Sequence, residues 1–185
     1  MNRVLSSRKG IGALPLILAL VVALAGAFLL YRNWQPGPEE RNADPGSFVA
    51  RTAPPFALKD TNGNVYSSAQ LAGKPAVINF FATYCPPCRE EIPGFVEVYN
   101  KHKEKGFELI GISLDTDTRG NLPGFLMSNK IGYRILHGDL ATARAYGGVS
   151  SIPTTFFVGK DGEIKNVHVG YLDKDTFDRE VMKLL

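Results

Sequence analysis

The spacing of apolar and polar positions changes character twice along this chain. From Ile11 to Tyr31 the sequence is apolar and uncharged, long enough as a helix to cross about 30 Å of hydrocarbon. Arg32 to Ser47 reads RNWQPGPEERNADPGS, rich in proline, glycine and charge with little to bury, which is the composition of a tether. From Phe48 onward, short apolar runs alternate with segments of helical period, as in an α/β domain.

Within that domain, Phe56-Ala57-Leu58, a turn at Asp60-Thr61-Asn62-Gly63 and Val65-Tyr66 predict a β-hairpin. Ser67 to Leu71 predicts one helical turn, stopped by Gly73. Ala76 to Ala82 is almost wholly apolar, as expected of a strand covered on both faces. Pro86 to Lys105 predicts a helix whose apolar stripe is Ile92, Phe95, Val96 and Tyr99, ended by Gly106. Phe107 to Leu114 is a second buried strand, and helices follow at 121–130 and 140–146 around a brief strand at 134–136. Strands at 154–158 and 164–169 flank the turn 160–163, and Asp173 caps a last helix that buries Phe177, Val181 and Leu184. The sum is a mixed sheet flanked by helices.

Charge fixes the orientation of the apolar segment. Arg3, Arg8 and Lys9 precede it, while Arg32 on its far side soon meets Glu39 and Glu40. The positive-inside rule leaves residues 1–10 as a cytoplasmic tail, makes 11–31 the transmembrane anchor and 32–47 the linker, and exports 48–185. The small-x-small sites Ala23-Leu24-Ala25 and Ala25-Gly26-Ala27 offer signal cleavage as an alternative. Cleavage there leaves Phe28-Leu29-Leu30-Tyr31 as an apolar N-terminus, so an uncleaved anchor is expected. The formal net charge of +3 comes from residues 1–10, since 11–47 carry −1 and 48–185 carry +1. The basic excess is thus an orientation signal, and nucleic acid is not an expected partner.

The chemistry is carried by Cys85-Pro86-Pro87-Cys88, which holds the only 2 cysteines of the chain between an apolar strand and a helix. A helix N-terminus favours a thiolate, and this spacing lets the pair cycle between dithiol and disulfide. A zinc site needs further ligands at short spacing, whereas His102, His137 and His168 are scattered singly. A staple of so short a loop stabilises weakly. In an oxidising compartment, a domain without a cysteine outside this motif is expected to use the pair for redox work. No metal and no bound cofactor are expected, because the redox-active disulfide Cys85–Cys88 carries the electrons itself.

Three segments resemble the thioredoxin fold, and more narrowly the membrane-anchored thiol–disulfide oxidoreductases of TlpA/ResA type, over residues 48–185. They are VINFFATYCPPCREEIP, with Pro93 inside the helix; SIPTTF at 151–156; and the hairpin APPFALKDTNGNVYSSAQLAG. The segment 113–135 fits the helix which that subgroup inserts in mid-fold. The resemblance implies a thioredoxin-like α/β domain with an N-terminal hairpin and a mid-fold insertion, preceded by one transmembrane helix.

It implies roles as well. Cys85 is the exposed attacking thiol, and Cys88 is the resolving thiol one turn inside. Pro153 is cis and faces the dithiol, leaving the Ile152 main chain free to pair with a client strand. Glu91, one turn after Cys88, manages a proton, because Asn79 stands where thioredoxins keep a buried aspartate. Tyr84 replaces the usual tryptophan as aromatic platform, and Pro86 and Pro87 shape the client-facing turn. The expected activity is reduction of specific protein disulfides, such as those of apocytochrome c, with electrons from a membrane thiol transporter. The reverse reaction (an oxidase or isomerase), a peroxiredoxin-type peroxidase and a non-catalytic binding module are the alternatives. The peroxidase wants a threonine where Ala82 stands. Glu90, the three histidines and Asp115-Thr116-Asp117 read as solvated or packing groups.

Overall fold

In the computed structural model, residues 22–28 and 45–185 are described. The chain divides into two units, Met1–Arg41 and Asn42–Leu185. In the first, residues 22–28 are helical. The remainder of the 11–31 anchor, the 1–10 tail and residues 32–44 of the linker lie outside the described residues. No helix among the described residues is long and apolar enough to cross a membrane.

The second unit is built on one sheet. Strands β1 (Ala57–Lys59) and β2 (Val65–Ser67) form the hairpin, followed by β3 (Ala76–Phe81) and helix α1 (Pro86–His102). Next come β4 (Glu108–Ser113), α2 (Leu122–Ser128), β5 (Arg134–His137), α3 (Leu140–Ala145), β6 (Thr154–Val158), β7 (Ile164–Val169) and α4 (Lys174–Leu184). The five-stranded sheet has the order β5-β4-β3-β6-β7. β3 pairs parallel with β4 and antiparallel with β6. The mixed sheet is therefore as expected, and α2 sits where the mid-fold insertion was read.

Every residue of β3 is buried, which explains its nearly continuous apolar sequence. The period of two sorts its side chains onto opposite faces. Val77 and Phe81 join Ile92 and Phe95 of α1 and Phe177 and Val181 of α4. Ile78 and Phe80 join Leu58 and Tyr66 of the hairpin, with Tyr146 and Phe156. Asn79 lies between Val77 and Phe81 and so points toward α1. Phe95 and Phe177 stack at 3.9 Å with their planes 19° apart, so they join α1 to α4. Phe177→Ala is expected to cost about 3–5 kcal/mol, visible as a lower denaturation midpoint with an unchanged slope.

The helix stripe differs from the sequence reading in its phase. Val98 and His102 are buried alongside Ile92 and Phe95, while Val96 and Tyr99 are half-buried. The cause is α4, which packs across α1 and covers a flank that α1 alone does not specify. His102 is a packing residue with a partner: its Nε2 lies 2.6 Å from Asp178 Oδ1 of α4.

Candidate active site

Topology brings the site together. β3 ends beside the start of β6, because the antiparallel register sets Phe80 opposite Thr154. The turn after β3 therefore meets the Ile152–Pro153 bond, which is cis. Cys85 Sγ lies 3.6 Å from Ile152 O; in this oxidised form the sulfur has no proton to donate, so this is a close approach, not a hydrogen bond. Cys85 and Cys88 are joined, with Cα atoms 5.3 Å apart.

Cys85 is the N-cap of α1, and Pro86 and Pro87 occupy the first two helical positions. Neither proline has an N–H, so the first free donor of the helix is the Cys88 amide. That N–H donates to Cys85 Sγ at 3.3 Å, the contact that would favour a thiolate there. Cys88 is 0% exposed and Cys85 5%. The order of accessibility is as read, but Cys85 is a buried residue where an exposed one was expected. Its sulfur is tied to Cys88 and lies against the Ile152 carbonyl, a residue remote in sequence. Around it, Tyr84 is 61% exposed, Pro86 is exposed, and Pro87 and Ile152 are half-buried.

One helical turn beyond Cys88 sits Glu91, 2% exposed. Asn79 Nδ2 donates to its Oε1 at 3.0 Å and to Thr155 Oγ1 at 3.0 Å. The Leu172 amide donates to Glu91 Oε2 at 3.2 Å. Burial pushes the Glu91 carboxyl up to about 8, against the opposing effect of the Asn79 and Leu172 hydrogen bonds. The neighbouring Tyr133 hydroxyl is raised first by burial and then by the Glu91 charge. Glu90 is exposed. The Gly170 amide donates to Pro153 O at 2.8 Å, so the loop 170–172 touches both the cis-proline and Glu91. This loop was missing from the sequence reading, and Thr155 was read there only as part of the SIPTTF segment; the fold sets it opposite Asn79 on β6.

Asp115 corrects an expectation. It is 1% exposed, not a solvated loop residue, because hydroxyl and amide donors surround it. Ala82, where a peroxidase would carry threonine, is buried and apolar. Among the described residues no group of three or more His, Cys, Asp or Glu side chains is placed to hold a metal ion.

Known proteins are similar to this chain. A family model described as the AhpC/TSA family matches residues 49–167. The chain is 31% identical over 134 residues to the thiol–disulfide oxidoreductase ResA of Oceanobacillus iheyensis, covering 70% of this chain and 69% of that one. It is 27% identical over 168 residues to ResA of Bacillus anthracis, covering 91% and 93%. A thiol:disulfide interchange protein of the thioredoxin family from Chlorobium tepidum superposes with TM-score 0.67 at 35% identity, over 72% of this chain and 94% of that one. A dithiol at a helix mouth, a cis-proline beside it and this likeness agree, and the chain belongs to the AhpC/TSA family of thioredoxin-fold proteins as a thiol–disulfide oxidoreductase of ResA type.

Proposed function

We propose that this oxidoreductase is a membrane-tethered, extracytoplasmic reductant of protein disulfides, with apocytochrome c as its expected client and a membrane thiol transporter as its electron source. The observation that carries the exchange chemistry is the buried Glu91 carboxyl, held by Asn79 and Leu172 one turn beyond Cys88; the reducing direction follows the TlpA/ResA resemblance. The anchor reading rests on the apolar run Ile11–Tyr31 and its basic flank.

In the proposed cycle the Cys85 thiolate attacks one sulfur of a client disulfide. A Cys85–client bond forms, the client bond breaks, and one client thiolate leaves. Cys88 then attacks Cys85 Sγ, passing its proton to the ionised Glu91, and the second client thiolate departs and is protonated. Two electrons reach the client, and the Cys85–Cys88 disulfide closes. A carboxyl that titrates near 8 has both forms within reach at neutral pH. Tyr84, Pro86, Pro87, Ile152 and Pro153 frame the sulfur and form the surface against which the client strand lies.

The test is the reduction potential of the Cys85–Cys88 couple in the full chain, read by thiol labelling across redox buffers. A value near about −270 mV, or somewhat above, fits a reductant with a dedicated electron supply. A value near about −120 mV would make the protein an oxidant of exported thiols and overturn the proposal.

A further inference from the structure

Asp115 stands two residues past the end of β4 and is buried, yet the reaction described above makes no use of it. Its carboxylate is fully engaged. Thr83 donates to it twice, through its amide (3.0 Å to Oδ2) and through its hydroxyl (2.6 Å to Oδ1). Ser113 Oγ donates to Oδ2 at 2.7 Å, and the Thr118 hydroxyl donates to Oδ1. All these donors are neutral, so the contacts hold a negative charge without cancelling it. Burial alone would raise this carboxyl, but the hydrogen bonds from Thr118, Thr83 and Ser113 outweigh it and keep the group below the usual aspartate range.

The clamped residue matters because of where it lies. Thr83 is two positions before Cys85, in a turn closed by the Cys85 amide on Ala82 O at 3.2 Å. Two residues of chain span at most about 7 Å, which brings the anion within roughly 10 Å of the Cys85 backbone. At that distance, two unit charges inside a protein still interact by an amount worth about a tenfold change in an equilibrium. The other titratable groups of this corner are His137, Arg119 and Asp60, and the His137 ring is held below its usual value, first by burial and then by Arg119.

We propose that Asp115 is a positioning residue for the dithiol: its buried carboxylate locks the turn that carries Cys85 and stands beside it as a fixed negative charge, making the Cys85 thiol less acidic and the couple more reducing. The inference rests on the reading of Cys85 as the attacking thiol.

The test uses the full chain. Asp115→Asn removes the charge at nearly constant shape, and is expected to raise the Cys85 thiolate fraction about threefold to tenfold at a pH below its pKa, and to make the potential less negative at a pH above it. Thiolate absorbance against pH and thiol labelling in redox buffers read the two effects. Thr83→Val keeps the charge and the amide bond but removes one hydroxyl. It is expected to slow attack by the Cys85 thiolate on a small aromatic disulfide about threefold, with the thiol's acidity unchanged. A folded Asp115→Asn protein with wild-type acidity and potential overturns the proposal. If that variant does not fold, a wild-type attack rate in Thr83→Val overturns it instead. A wild-type protein with no reversible Cys85–Cys88 couple would fail at the earlier reading, so the two failures are distinct.

Discussion

Cys88→Ala in the full chain is expected to accumulate clients joined to Cys85 by a disulfide, while turnover falls by a hundredfold or more, roughly the loss of the whole second step. The first attack needs only Cys85, whose sulfur is the more accessible of the two and lies against the Ile152 main chain. Release needs Cys88, which is fully buried and bonded to Cys85. Cys85→Ala is expected to show neither turnover nor adducts, since no client disulfide can approach Cys88. Non-reducing electrophoresis followed by mass spectrometry of the adduct reads both variants. Adducts that formed on Cys88 in Cys85→Ala at the level seen on Cys85 would reverse the assigned roles.

Glu91→Gln is expected to flatten the pH dependence of stability. The Glu91 carboxyl has a native value of about 8 against an ordinary 4.5. Between those values the unfolded chain has released this proton and the native state still holds it. The native state binds more protons there, so stability falls as pH rises, from near 4.5 until the native carboxyl ionises near 8. The full loss is of the order of a few kcal/mol, large beside a typical domain stability of about 5–15 kcal/mol. Glutamine cannot ionise, so the variant is expected to gain on wild type progressively toward pH 8. Its amide fits the site when Asn79 flips, because Asn79 Oδ1 then accepts from both the new amide and the Thr155 hydroxyl. Denaturant midpoints at pH 5 and pH 8 make the comparison; a variant that loses as much between them as wild type would exclude Glu91 as the source. Disulfide exchange should lose its inflection near 8 in the same protein, if Glu91 carries the Cys88 proton.

The strands and their faces were readable because burial on both sides leaves runs such as Ala76–Ala82 with almost no polar residue. One residue breaks that run, and its parity points it at α1, so the pairing of Asn79 with Glu91 was nearly legible. What escaped depends on partners distant in the chain. Cys85 is covered at the Ile152 carbonyl and its amide neighbour is dictated by two prolines, which only the folded turn reveals. Val98 is buried by α4, whose arrival leaves no mark on the period of α1. Asp115-Thr116-Asp117 has the composition of a wet loop, and nothing in it announces that Thr83 will supply two donors from the turn after β3.

The sheet's two margins have a consequence for selectivity. On one side the hairpin leans over β5 through the bridge between Asp60 and Leu136. On the other, residues 50–53 run along the start of β7, with Ala50 donating to Ile164 O at 2.8 Å and the Ile164 amide donating to Arg51 O at 2.8 Å. Beyond that point β7 carries Lys165, a charge that discourages a further strand. Each flank of the sheet is thus partly covered, and the Ile152 backbone, next to the Cys85 sulfur, stands apart from both margins.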